Sequence, residues 1–212
     1  MEWFAPLLDI VLHLDVHLAQ LLETYGTGIY LILSLIIFCE TGLVVTPFLP
    51  GDSLLFVAGA LAALGGMDIT LLMACLSLAA ILGNFVNYRI GHFLGPRVFD
   101  WPNSRFFNKS ALEKTQAFYD QHGGKTLVIS RFLPLFRTFA PFVAGIGRMR
   151  TLRFFLFNLI GGVSWVVSLT LAGYFFGNQA WVQHNLSGVI VGIILLSLVP
   201  VIVGYWKNRG IS

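Results

Sequence analysis

The chain has 212 residues, of which 57% are hydrophobic and only 11% charged, and its mean hydropathy is +0.81. An ordinary soluble domain carries roughly 25% charge, so this composition excludes a cytosolic globule, and 14% aromatic residues exclude a disordered chain. The net charge of +3 conceals an asymmetry: residues 1–95 hold seven acids and one base, whereas residues 96–212 hold three acids and twelve bases. The bases flank apolar segments, which is the pattern of a topology signal facing anionic cytoplasmic lipid and not of a nucleic-acid surface.

Residues 5–24 carry leucines at 7, 8, 14, 18, 21 and 22, interleaved with His13, Asp15 and His17, and predict an amphipathic helix on the cytoplasmic surface. Residues 1–27 contain no Lys or Arg, so a cleavable signal peptide is not expected. A helix crossing the hydrocarbon needs about 20 mostly apolar residues. Segments 28–45, 69–95, 154–177 and 187–206 meet that length.

Two further apolar segments do not. In 46–65 the run is broken by Pro47, Pro50, Gly51 and Asp52, and in 126–147 it is broken by Pro134 and Pro141 and carries Arg131 and Arg137. A proline inside a helix removes a backbone donor and clashes with the preceding turn. Irregular backbone persists at membrane depth only where protein covers it or it lines a wet cavity, so both segments are predicted to be re-entrant helical hairpins. Between them, 96–125 is predicted to be a cytoplasmic segment whose stretch 101–122 is amphipathic, with Asn108 or Ser110 available as N-cap.

With the basic stretches facing the cytoplasm, the four spans connect so that 66–68 and 178–186 lie outside, and 96–125 and the C-terminus inside. The two hairpins then enter from opposite sides, as an inverted repeat requires. The repeat is visible in the sequence: FVAG occurs at Phe56–Gly59 and again 86 residues on at Phe142–Gly145, followed by GHFLG at Gly91–Gly95 and GYFFG at Gly173–Gly177. The expected fold class is an all-α polytopic membrane protein, one integral-membrane domain over 1–212. It is an inverted repeat with two re-entrant hairpins, about four transmembrane helices and an N-terminal amphipathic helix.

Four ionisable residues fall where exposure to lipid is costly: Glu40, Asp52, Arg131 and Arg137. A charge at the bilayer centre costs about 2.5–3.5 kcal/mol even on insertion scales, so such groups face a cavity and have partners. A carboxylate that alternates between burial and an arginine partner changes its proton affinity, which suits Glu40 and Asp52 to proton coupling. Asp52 also suits the N-cap of a helical arm starting near Leu54. Arg131 and Arg137 frame RFLPLFR, and two planar guanidiniums on a broken backbone make a clamp for a phosphate headgroup, while Arg131 also fits a snorkelling anchor. Ser53, Asn84, Asn87, Tyr88 and Thr138 are candidates to line the cavity or to hydrogen-bond between helices, and Asn158, Ser164 and Trp165 share that ambiguity. Cys39 and Cys75 sit in apolar stretches and read as structural. The histidines show no ligand spacing and no catalytic or nucleotide motif occurs, so neither a metal, a cofactor nor an enzymatic activity is expected.

The stretches FCETGLVVTPFLPGDSLLFVAGALA (Phe38–Ala62) and GGKTLVISRFLPLFRTFAPFVAGIGRM (Gly123–Met149) resemble the DedA family of bacterial inner-membrane proteins, related to the eukaryotic VTT, or SNARE-associated Golgi, domain. The likeness spans nearly the whole chain. It implies a multi-pass inner-membrane protein that moves an anionic lipid, undecaprenyl phosphate or a phospholipid. The family's acidic pair falls on Glu40 and Asp52 and its arginine pair on Arg131 and Arg137. Some close relatives are expected to carry an acid where this chain has Asn84. The implied mechanism holds the phosphate at the arginines while the carboxylates exchange protons and compete for them, with homo-oligomers compatible with it. Two rival readings stand beside it: a proton- or sodium-coupled small-ion antiporter, which does not need both arginines, and a non-transporting membrane scaffold, in which the buried charges are structural pairs.

Overall fold

The computed structural model describes residues 14–43, 51–95 and 123–177, with isolated positions at 179, 188 and 192. All its regular elements are helical. They are α1 (Leu14–Tyr25), α2 (Ile29–Gly42), α3 (Gly51–Ala63), α4 (Ile69–Leu94), the short α5 (Lys125–Ile129), α6 (Pro134–Ile146) and α7 (Thr151–Gly177). Three-residue 3-10 turns at Gly26–Gly28 and Ser130–Phe132 join α1 to α2 and follow α5.

Local chemistry sets the helix ends. Asp68 caps α4, its Oδ1 accepting the Leu71 N–H at 2.7 Å while its own N–H donates to the Tyr30 hydroxyl at 2.7 Å. Pro134 stands at the first position of α6 after an extended Leu133 (φ −117°, ψ 106°), where a missing N–H costs nothing and the residue before proline is pushed out of the helical region. Both α3 and α6 end in the same capping motif. Gly66 N–H bonds back to Leu61 and Gly65 to Ala62 after α3, and Met149 to Ala144 and Arg148 to Gly145 after α6. The left-handed residue is Gly65 in the first (φ 86°) and Arg148 in the second (φ 51°).

Three helical runs are long and apolar enough to cross a membrane: Val16–Gly42, Ile69–Leu94 and Thr151–Gly177. They carry exposed leucine, isoleucine and phenylalanine side chains, including Leu31, Leu35, Leu78, Phe93, Ile160 and Phe175, as lipid-facing helices do. The first run takes in both the helix expected up to 24 and the span expected from 28, which are α1 and α2 on either side of the 3-10 turn. The helix resumes directly after Gly26 (φ 51°) and the 3-10 turn, so the run with spanning length begins at Val16. Helices α3 and α6, with 13 residues each, are about 20 Å long and so fall short of a ~30 Å hydrocarbon core. The entry to the first hairpin with Pro47 and Pro50, most of the predicted 96–125 segment, residues 5–13 and the predicted span 187–206 lie outside the described residues.

One predicted break is not a break. Pro141 lies inside α6, which runs on to Ile146. Although proline withholds the i→i−4 bond, Pro141 is buried against protein, the setting in which a helix absorbs a proline. The break of this segment is at Leu133–Pro134 alone.

The described residues form two compact units. One comprises 14–34, 51–76 and 166–177, the other 35–43, 77–95 and 123–165. Within the first, α3 packs its FVAG on the end of α7: a Cβ on Gly173 would overlap the Phe56 carbonyl, and one on Gly59 would overlap the Thr170 carbonyl. Within the second, α6 packs its FVAG on the end of α4: a Cβ on Gly91 would overlap the Phe142 carbonyl, and one on Gly145 the Tyr88 carbonyl. The sequence repeat is thus one backbone-to-backbone contact made twice, each time between the short helix of one half of the chain and the long helix of the other.

Overpacking a tight contact costs about 1–3 kcal/mol, so Gly91→Val and Gly173→Val should each lower stability by that amount. Gly28→Ala, where a Cβ meets only Tyr25 Cβ at 3.5 Å, should change it by less than about 0.5 kcal/mol. Thermal unfolding in detergent checks this, and equal tolerance at the three positions would contradict the contact.

Candidate functional site

The second unit contains a buried polar cluster. Its helices meet closely enough to build one because α2 crosses α4 at Gly42 and Gly83: a Cβ on Gly42 would lie 3.3 Å from the Gly83 backbone, and one on Gly83 would overlap Thr41 Oγ1. Asn87 on α4 ties this crossing to α6, its Nδ2 donating to the Thr41 carbonyl (3.2 Å) and the Thr138 carbonyl (2.9 Å). Glu40 is carried into the interior one residue before that crossing, 2% exposed.

Arg131 lies in the 3-10 turn after α5 and is 1% exposed. Its Nη2 donates to Asn158 Oδ1 at 2.8 Å and to the Ala80 carbonyl at 3.3 Å. The Asn84 amide faces the same guanidinium. Because arginine has donors only, the Asn84 atom turned to it is the oxygen, which accepts from Nε at 3.2 Å and Nη2 at 2.7 Å. Asn158 is itself held by donation from Nδ2 to the Ile81 carbonyl at 2.9 Å. Gly161 and Gly162 make the slot, since a Cβ on either would come within 3.3 Å of the Arg131 side chain. Arg131 Nη1 is buried and makes no hydrogen bond among the described residues.

Arg137, in α6, is 4% exposed and donates through Nη2 to Glu40 Oε1. Both guanidiniums lie against one indole: the Trp165 ring centroid is 4.9 Å from Arg137 Cζ and 5.8 Å from Arg131 Cζ. These distances are within the range at which a guanidinium is drawn to an aromatic face. Sequence reasoning left Trp165 and Asn158 undecided between cavity lining and helix packing and did not connect them with the arginines. The spacing of Asn158, Gly161, Gly162 and Trp165 is i, i+3, i+4, i+7, one face of α7, and that periodicity was the available signal.

Of the residues expected at the site, the structure brings together Glu40, Arg131, Arg137, Asn84, Asn87 and Thr138 in this unit. Tyr88 belongs to it as well but serves packing, stacking on Phe154 at 4.1 Å and donating its hydroxyl proton to the Met149 carbonyl. Asp52 and Ser53 are on α3, in the other unit. Because α3 starts at Gly51, Asp52 lies in its first turn, half-buried, where a carboxylate complements the helix amino terminus. Ser53 is buried, and its hydroxyl has no hydrogen-bond partner among the described residues. No cluster of three potential metal ligands occurs among the described residues, and neither Cys39 nor Cys75 forms a disulfide among them.

Residues 49–175 match the family model described as the VTT domain. The chain is 54% identical to Protein DedA of Escherichia coli (strain K12) over 205 residues, covering 96% of this chain and 94% of that one. The chain belongs to the DedA family. Other members similar to it are the uncharacterized membrane protein ML0287 of Mycobacterium leprae (strain TN), 42% identical over 82% of this chain and 78% of its own, and the inner membrane protein YqjA of Escherichia coli (strain K12), 33% identical over 85% and 86%. No solved structure matches. The chain is a membrane protein with this DedA-family relationship along almost all its length, and the matched segment includes Asp52, both arginines and Trp165, with Glu40 just before it.

Removing one partner of a buried ion pair leaves a charge uncompensated and costs about 3–5 kcal/mol. Glu40→Ala should therefore lose about that much stability, and Glu40→Leu combined with Arg137→Leu clearly less, measured by unfolding in detergent. A double variant as unstable as the sum of its single variants would contradict a direct pair.

Proposed function

We propose that the chain is a transporter that moves an anionic lipid, undecaprenyl phosphate or a phospholipid, across the bacterial inner membrane, coupled to protons. The observation that carries this reading is the pair of buried guanidiniums on Trp165, one bonded to Glu40 and the other with Nη1 buried and without a hydrogen-bond partner among the described residues. A phosphate offers several acceptor oxygens in the geometry an arginine fork prefers, and a small cation has none.

In this mechanism Arg137 exchanges partners. With Glu40 ionised, Arg137 is held by the carboxylate; when Glu40 takes up a proton, the phosphate oxygens replace it on Arg137 and reach Arg131 Nη1. Loss of the proton restores the ion pair and expels the anion. Asp52 is the second carboxylate assigned to proton uptake. The short helices α3 and α6 act as arms of re-entrant hairpins, which keep irregular backbone and charge under protein cover while the lipid tail stays in the bilayer. The basic residues from Arg97 to Arg153, with Lys207 and Arg209, set those segments and the C-terminus on the cytoplasmic side. No bond is made or broken in the substrate, so the proposal contains no enzymatic step and no cofactor.

Liposomes carrying the protein and labelled undecaprenyl phosphate test the reading. Wild type should translocate the lipid faster under an inward proton gradient. Arg137→Ala, losing charge-assisted hydrogen bonds of about 1.5–3 kcal/mol, should slow it roughly 10- to 100-fold. Equal rates for wild type and variant would refute the arginine role, and proton or sodium flux that persists with both arginines neutralised would favour a small-ion antiporter.

A further inference from the structure

We propose that Trp165 is a positioning residue for the anion: its indole face keeps the Arg137 guanidinium beside Arg131 while Arg137 passes from Glu40 to the lipid phosphate. This rests on the phosphate-site reading above and gives a role to the indole, which that reading uses only to locate the two guanidiniums.

The two arginines are held differently. Arg131 is fixed by the Asn158 oxygen, the Asn84 oxygen and the Ala80 carbonyl, and walled by Gly161 and Gly162. Arg137 donates to Glu40, a group that must release it for transport. Two like charges in a poorly solvated interior repel each other, and that repulsion is no longer offset by the Glu40 carboxylate once Glu40 is protonated. The attraction of a guanidinium to an aromatic face comes from the ring quadrupole and does not depend on the charge of Glu40. Trp165, 1% exposed and 4.9 Å from Arg137 and 5.8 Å from Arg131, supplies that attraction to both cations at once. It is also fixed on the same helix face as Asn158, seven residues on, so the anchor of Arg131 and the rest of Arg137 share one rigid element.

The test varies the electrostatics of the ring and keeps its shape. Tryptophan bearing one, two, three or four fluorines is incorporated at position 165 alone, and binding of farnesyl phosphate to the purified protein in detergent is measured by calorimetry. Fluorination weakens the negative face of the ring. The expected result is affinity falling stepwise with fluorine number, by roughly tenfold in all, with the unfolding temperature nearly constant; Trp165→Phe should fall within the series and Trp165→Leu at its weak end. Wild-type binding that does not change along the series overturns the role of Trp165 and leaves the phosphate site standing. No binding by wild type overturns the phosphate site and the proposal with it.

Discussion

A guanidinium buried among apolar helices imposes demands that the rest of the second unit satisfies. Arg131 carries five N–H donors and no acceptor, and each donor taken from water needs an oxygen inside the protein. The chain meets this at Nε and Nη2 with two asparagine side chains and a main-chain carbonyl, leaves Nη1 without an oxygen among the described residues, opens a slot with two adjacent glycines, and breaks α5 into a 3-10 turn so that the side chain enters from the end of a helix. Arg137 adds a second cation, answered by Glu40 and by the indole they share. The features that looked irregular in an apolar sequence are mutually required.

The backbone contacts explain how such a cluster is held without a soluble-type hydrophobic drive between helices. In a lipid environment, association depends on close packing and polar contacts, and small residues let backbones approach. Gly42 against Gly83 brings Glu40 to α4, and Gly91 with Gly145 locks α6, which carries Arg137, onto the same helix. The equivalent contact in the first unit, Gly59 and Gly173, locks α3, which carries Asp52, onto the end of α7. Glu40, Arg137 and Asp52 therefore each ride on a short helix or helix end that is fastened a few residues away.

The hydropathy of the chain made the membrane class, the three long apolar helices and the four costly charges legible, because charge in an apolar run stands out by residue type alone. The FVAG and glycine-spaced repeats were legible too, although only the structure pairs them crosswise. What escaped were relationships that residue type does not encode. Trp165 and Asn158 look like ordinary interior residues until α7 is folded and their common face meets the arginines. Pro141 was expected to break a helix because composition cannot tell a buried, supported proline from an unsupported one. The boundary between the segment up to 24 and the span from 28 was legible, since α1 ends at Tyr25 and α2 begins at Ile29 after the 3-10 turn. That the carboxylates meet the arginines was expected without naming a pair; the structure puts Glu40 on Arg137 and Asp52 in the other unit, and the Glu40–Arg137 contact is the one on which the transport reading depends.

That reading commits the paired arginines to an anionic phosphate. Native mass spectrometry of the protein, released from membranes with its own lipids, reads the occupant directly. Wild type should carry a lipid with a phosphate headgroup, and a variant with Arg131→Gln and Arg137→Gln, folded as judged by its unfolding transition, should lose it. Equal occupancy by phosphate lipids in both proteins, or only neutral lipids on wild type, would contradict a phosphate site at these arginines.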